Sequence, residues 1–151
     1  MTKEEFSRQV VGYTDTMYRV AYAILRNDED CRDAMQEAAL KAWEKRKSLR
    51  REEYFLTWLT RILINACHQI LRGRKRMIPM EHTPEQAAPA QDRALRDALG
   101  RLPEKLRLPL IMTALEGMTY EEAARALKIT VSAVTGRVHR AKELLRKEMS
   151  A

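Results

Sequence analysis

The sequence predicts an all-α protein built as two small helical domains joined by a flexible linker. Three observations carry this. Apolar residues recur at helical spacing along most of the chain, strand signals are nearly absent, and three of the five prolines crowd one short stretch. That stretch, from Met77 to Gln91, holds Pro79, Pro84 and Pro89. Each X-Pro step disfavours helix in the residue before it, so about fifteen residues read as an extended linker. It separates residues 1–76 from residues 92–151 of the 151-residue chain. Each part is near the lower limit for a self-sufficient core.

In the first part, Thr2 followed by Glu5 forms a capping box. Phe6, Val10, Met17, Ala21 and Ile24 then recur at helical spacing, with a break expected near Gly12. Asn27 and the acids after it mark a turn and the start of a second helix, with Cys31, Met35, Ala38, Ala42 and Leu49 on one stripe. Its opposite face shows Asp33, Gln36, Glu37, Leu40 and Lys41. A third helix is expected from Glu53 to Leu71, its stripe being Phe55, Leu59, Ile62, Ala66 and Ile70.

Past the linker, a helix over Arg93–Leu99 ends at Gly100. Pro103 suits the first turn of the next, which continues to Glu116 with a kink at Pro109 and stops at Gly117. Thr119 and Glu122 form a second capping box, opening a short helix to Leu127. Lys128-Ile129-Thr130 is a tight connection, and Thr130 caps a last helix from Val131 to Met149.

The chain carries 28 Lys plus Arg against 21 Asp plus Glu, a formal net charge of +7. That excess points to a polyanionic partner, nucleic acid before anionic membrane. Arg72, Arg74, Lys75 and Arg76 form one basic cluster with no acid among them. The two cysteines, Cys31 and Cys67, lie inside helical patterns and imply no disulfide framework. The first residues have no apolar signal core, and no apolar run nears the ~20 residues that span a bilayer. A cytoplasmic protein that does not insert into membranes is expected.

The short helix, three-residue turn and longer helix from Thr119 to Met149 make a helix-turn-helix. Val134, Val138, Ala141 and Leu145 step by helical turns and would pack inward with Leu127 and Ile129. That turns Ser132, Ala133, Thr135, Gly136, Arg137 and Arg140 outward. Small residues let the backbone approach a major groove, where arginine reaches guanine edges or phosphates. An ordinary hairpin with a solvated basic face is the plainer alternative.

A second constellation joins Tyr54, Phe55 and Trp58 to the basic run ending at Arg76. Bases of single-stranded nucleic acid stack on rings while cations hold the phosphates. The plainer reading makes the rings core and the basic run solvated. The stripe Asp33, Gln36, Glu37 and Leu40 is either a solvated helix face or a docking face for a partner helix. Enzyme chemistry finds little support. No Cys and His have zinc-ligand spacing, and there is no glycine-rich phosphate loop or nucleophile elbow. No cofactor, metal or small-molecule substrate is implied.

The stretch from Leu102-Pro103-Glu104 through Tyr120-Glu121-Glu122, with its continuation to Ala141, resembles region four of bacterial sigma factors. Asp33 through Trp43, then Phe55 to Leu59 and Ile64-Asn65 to Arg72, resembles region two. In this order, joined by a short linker, they are similar to an extracytoplasmic-function (ECF) RNA polymerase sigma factor. The resemblance covers nearly the whole chain.

It implies that Asp33, Gln36, Glu37 and Leu40 dock on core RNA polymerase. It places Phe55, Trp58, Asn65, Arg72, Arg74, Lys75 and Arg76 on the minus-ten promoter element. Ser132, Ala133, Thr135, Arg137, His139 and Arg140 fall on the minus-thirty-five element. Promoter DNA, core polymerase and an anti-sigma factor are the implied partners. Three positions depart from the family pattern: Gln69 where Asp is frequent, Lys128 where the turn usually has Gly, and Gly136 where Ser or Lys is commoner. The rival readings are a dimeric helix-turn-helix repressor binding palindromic half-sites and, more weakly, a helical nucleic-acid-modifying enzyme.

Overall fold

A computed structural model describes residues 1–74 and 90–150. The chain divides into two compact units, Met1–Met80 and Glu81–Ala151. Among the described residues there is no strand. Most of the stretch expected as linker, together with Lys75 and Arg76, lies outside the described residues. Ala90 and Gln91, expected at the linker's end, are already helical.

The first unit opens with α1 (Lys3–Gly12). The Glu5 amide donates to Thr2 Oγ1 at 3.1 Å and the Thr2 amide to Glu5 Oε2 at 3.0 Å, closing the expected capping box. The break falls at Tyr13, and α2 runs from Thr14 to Leu25. Arg26 ends α2 in the left-handed region at φ 55°. Asn27 caps α3 (Asp28–Glu44) by accepting the Asp30 amide at 3.0 Å. The buried face of α3 consists of small residues, Cys31, Ala34, Ala38 and Ala42, so α2 and α4 can approach closely.

Leu49 was expected on the α3 stripe, but α3 stops at Glu44. Two side chains bond the carbonyls at its end, one in the last turn and one at the cap residue. Arg46 donates to Trp43 O at 2.8 Å and Ser48 Oγ to Lys45 O at 2.7 Å, closing the three-ten turn Arg46–Ser48. A second three-ten turn, Glu52–Tyr54, leads into α4 (Phe55–Arg74). The buried side of α4 includes Phe55, Leu59, Leu63, Ile64 and Cys67. Ile62 and Ile70, expected on the core stripe, are half-buried at its margin.

Phe55 is the hub of an aromatic cluster. Its ring centroid lies 5.7 Å from Phe6, 6.2 Å from Tyr13 and 5.7 Å from Trp58, and Phe6 in turn meets Trp43 edge-on at 5.2 Å. At 1% exposure Phe55 is core, whereas the neighbouring Tyr54 is 40% exposed.

The second unit holds α5 (Ala90–Arg101), α6 (Glu104–Leu110), α7 (Tyr120–Leu127) and α8 (Val131–Ser150). Arg107 is 6% exposed, and its guanidinium donates to Leu102 O at 2.6 Å and Gly100 O at 3.3 Å, tying the corner between α5 and α6. Pro103 takes the cap position of α6, one residue before the expected first turn. The expected helix to Glu116 changes form after Leu110, where one π-helical turn covers Ile111–Leu115. Pro109 has no amide to give the Lys105 carbonyl in the preceding turn, and the wider turn follows it, where Thr113 Oγ1 donates to Pro109 O at 2.8 Å. Gly117 then reverses the chain at φ 73°.

The helix-turn-helix follows expectation. The Glu122 amide donates to Thr119 Oγ1 at 3.0 Å and the Thr119 amide to Glu122 Oε1 at 2.9 Å. Lys128 ends α7 at φ 58°, accepting the left-handed conformation that glycine would adopt without strain. Two bonds hold it there: the Ile129 amide donates to Ala124 O at 3.0 Å and the Lys128 amide to Arg125 O at 3.4 Å. These are the paired contacts of a Schellman closure. Thr130 Oγ1 accepts the Ala133 amide at 3.1 Å and starts α8.

Three stability outcomes are expected of the intact protein. Lys128→Gly should stabilise the second unit by about 0.5–1 kcal/mol, relief of the left-handed backbone outweighing glycine's extra freedom when unfolded. A urea midpoint that does not rise would show that the lysine side chain compensates. Phe55→Ala should cost about 3–5 kcal/mol, whereas Tyr54→Ala should stay near 0.5 kcal/mol. The reverse order in denaturant titrations would place the core wrongly. Burial, with the Asp28 and Asp30 carboxylates adding, pushes the Cys31 thiol from 9.0 up to about 12, against a lowering backbone hydrogen bond at Asn27. The folded state therefore holds this proton more tightly than the unfolded chain. The stabilisation is complete below pH 9 and is lost as pH rises from 9 toward 12. Thermal midpoints of Cys31→Ala should fall less steeply than wild type across that window, and equal slopes would refute the assignment.

Candidate nucleic-acid interfaces

In the first unit, the burial of α4 on one side leaves a continuous outer face. Tyr54 just before the helix, then Trp58, Arg61, Asn65 and Arg72 follow one another at three-, four- and seven-residue steps, and so share a side. Tyr54, Arg61, Asn65 and Arg72 are exposed and Trp58 is half-buried. Trp58 is held by its indole nitrogen, which donates to Ser48 Oγ at 3.1 Å. This face offers rings and cations side by side, the combination that single-stranded nucleic acid requires.

The structure brings only some of the expected residues to that face. Trp58, Asn65 and Arg72 are there. Phe55 is a correction: its ring is packed among Phe6, Tyr13 and Trp58 and cannot take a base. The amphipathic period would have assigned it so, since it shares the stripe of Leu59. Arg74 is drawn inward to pair with Asp30 across the α3–α4 seam. Tyr54, named above in the ring-and-cation constellation, lies on this side too, and Arg61, which that reading did not include, joins it by its spacing from Trp58 and Asn65.

On α3, Asp33, Gln36, Glu37 and Leu40 all point to solvent, and Leu40 is 62% exposed. Glu29 and Glu44 extend the stripe at both ends, so this face is acidic around one apolar side chain. Lys41 is half-buried at the edge and bridges to α4, pairing with Glu37 at 3.6 Å and donating to Gln69 Oε1 at 3.0 Å. Gln69 thus serves as a neutral acceptor for Lys41.

In the second unit, Val134, Val138 and Ala141 bury α8 against its neighbours, and Leu145 is half-buried. Ser132, Gly136, His139 and Arg140 are exposed on the far side. Thr135 and Arg137, two residues and therefore about 200° apart, lie on opposite flanks. Thr135 is exposed, with Oγ1 donating to Val131 O at 3.0 Å, while Ala133 and Arg137 are half-buried. His139 Nε2 sits 3.0 Å from Glu143 Oε1. A Cβ at Gly136 would meet nothing within 4 Å, so this position is open surface.

Among the described residues no cluster of His, Cys, Asp or Glu is arranged to hold a metal ion. No described helix is long and apolar enough to cross a membrane.

Comparison with known proteins accounts for both units. Residues 10–77 match sigma-70 region 2 and residues 92–145 match sigma-70 region 4. An ECF RNA polymerase sigma-E factor of Haemophilus influenzae is 30% identical over 137 residues, covering 77% of this chain and 72% of the relative. An ECF sigma factor, SigM, of Mycobacterium tuberculosis is 32% identical over 139 residues, covering 85% and 69%. The solved structure of CnrH in complex with the cytosolic domain of CnrY superposes with a TM-score of 0.78 at 25% identity, covering 99% of this chain and 90% of that one. The sigma factor RpoE in complex with the anti-sigma factor NepR from Bartonella quintana shares the fold at a TM-score of 0.83 and 22% identity, covering 98% of each chain. The N-terminal helices, which a dimeric repressor would use as its dimer interface, match sigma-70 region 2 instead. The chain belongs to the sigma-70 family, as an ECF RNA polymerase sigma factor.

Proposed function

We propose that this protein docks on core RNA polymerase through the outer face of α3 and reads a two-part promoter with α4 and α8. The observation that carries the reading is the presence of two exposed, cation-bearing helix faces, each within its own matched sigma region. On α3, Asp33, Gln36, Glu37 and Leu40 make the polymerase contact. Tyr54, Trp58, Arg61, Asn65 and Arg72 engage the opened minus-ten strand. Ser132, Gly136, Arg137, His139 and Arg140 face the minus-thirty-five duplex, with Arg137 reaching in from the flank. The polymerase supplies all catalysis in this scheme, and the chain acts in the cytoplasm where that enzyme works.

The division into two units has an energetic consequence. Units 1–76 and 92–151, joined by the 77–91 stretch, gain a fixed spacing only when both are seated on one polymerase. The free protein binds promoter DNA weakly, through phosphate contacts that fade with salt. The exposed Leu40 on an acidic face is also a target for a sequestering partner. Both structural neighbours are held by another protein, one named as an anti-sigma factor, which supports the same kind of control here.

Run-off transcription by bacterial core polymerase on host promoter fragments tests the reading. Transcripts with defined starts should appear only when the protein is added. No stimulation, with tight salt-resistant binding of the free protein to a palindromic duplex, would overturn it. Arg137→Ala should weaken minus-thirty-five recognition by about 1–3 kcal/mol and relax one duplex position. Uniform weakening across all sequences would make Arg137 a phosphate clamp instead.

A further inference from the structure

The turn between α3 and α4 holds a side chain that the promoter reading does not use. Ser48 is exposed, yet its hydroxyl makes two directed bonds. It accepts the Trp58 indole N–H at 3.1 Å and donates to Lys45 O at 2.7 Å. The turn itself is pinned from its other end. Arg46 donates to Trp43 O at 2.8 Å, and its guanidinium carbon lies 4.0 Å from the centre of the Trp43 ring. Trp43 is in turn braced edge-on against Phe6.

A half-buried tryptophan has one polar atom and two torsions, so a single acceptor suffices to select its rotamer. We propose that Ser48 is a positioning residue for promoter opening: its hydroxyl takes up the only donor of Trp58 and fixes the plane that the indole presents on the outer face of α4. The inference rests on the assignment of Trp58 to the minus-ten strand. Ser48 itself touches no DNA in this account. Its hydroxyl relays the indole to the Lys45 carbonyl at the end of α3, so the ring's orientation is tied to the frame of the unit and not to solvent. Because the bond is at the surface, its loss changes orientation more than folding.

The test uses the full-length protein with core polymerase and a promoter fragment recovered by run-off transcription. In a Trp43→Phe background, where Trp58 is the single tryptophan, Ser48→Ala should shift its emission and raise its quenching by acrylamide. Ser48→Thr, which keeps the hydroxyl, should restore both. Ser48→Ala should slow open-complex formation on the duplex promoter by about twofold to tenfold, the range expected for one hydrogen bond. A Trp58→Phe protein, which lacks the donor, should not be slowed further by Ser48→Ala. Unchanged emission in Ser48→Ala would overturn the contact whatever Trp58 does. Normal opening by Ser48→Ala, beside slow opening by Trp58→Ala, would overturn the positioning role and leave Trp58 on the DNA. Normal opening by Trp58→Ala would overturn the minus-ten assignment and this inference with it.

Discussion

The close seam between α3 and α4 is the constraint on which the first unit depends. Small residues at Cys31, Ala34, Ala38 and Ala42 leave α3 no bulk on its inner side. The large side chains Phe55, Leu59 and Leu63 of α4 are fully buried in the same core. Once these sides are committed, the helical period leaves no freedom about which residues face out. The acidic stripe around Leu40 and the ring-and-cation face of α4 follow from the core rather than from separate design. The links across the seam, Lys41 to Gln69 and Arg74 to Asp30, hold the register that keeps both faces aligned.

The second unit obeys the same logic with less material. Val134, Val138 and Ala141 orient α8, and the closure at Lys128 sets the angle at which it leaves α7. The strained backbone there persists because two amide bonds and the Thr130 cap surround it on both sides. Arg107 does a comparable task in the interior, donating to the Leu102 and Gly100 carbonyls at the α5–α6 corner.

Much of this was legible from residue order. Both capping boxes, the break near Gly12 and the orientation of α8 follow from spacing and cap chemistry, because each depends on residues within one or two turns. The departures have a common origin in contacts between distant residues or in local competition for carbonyls. Leu49 fell outside α3 because Arg46 and Ser48 bond its terminal carbonyls, and Pro109 led into a π turn rather than a simple kink. On the outer faces, the placement of Trp58, Asn65, Arg72 and the α3 stripe away from the core follows from pattern. Phe55 was misplaced because an aromatic beside a basic run looks the same in sequence whether it stacks on a base or on Phe6. The pairing of Arg74 with Asp30 spans two helices, which residue order does not reveal. Arg61 required the α4 face to be traced in full, and Ser48 carried no pattern at all.

The central claim is that two helix faces, fixed by two separate cores, meet two different parts of one promoter. Photocrosslinking in the assembled complex of core polymerase, protein and promoter tests it most directly, with a crosslinking residue placed singly at Asn65 and at Arg140. The account predicts that position 65 labels the opened strand around the minus-ten element and position 140 labels duplex near minus thirty-five. Crosslinks from both positions to the same DNA segment, or from position 65 to polymerase alone, would contradict it.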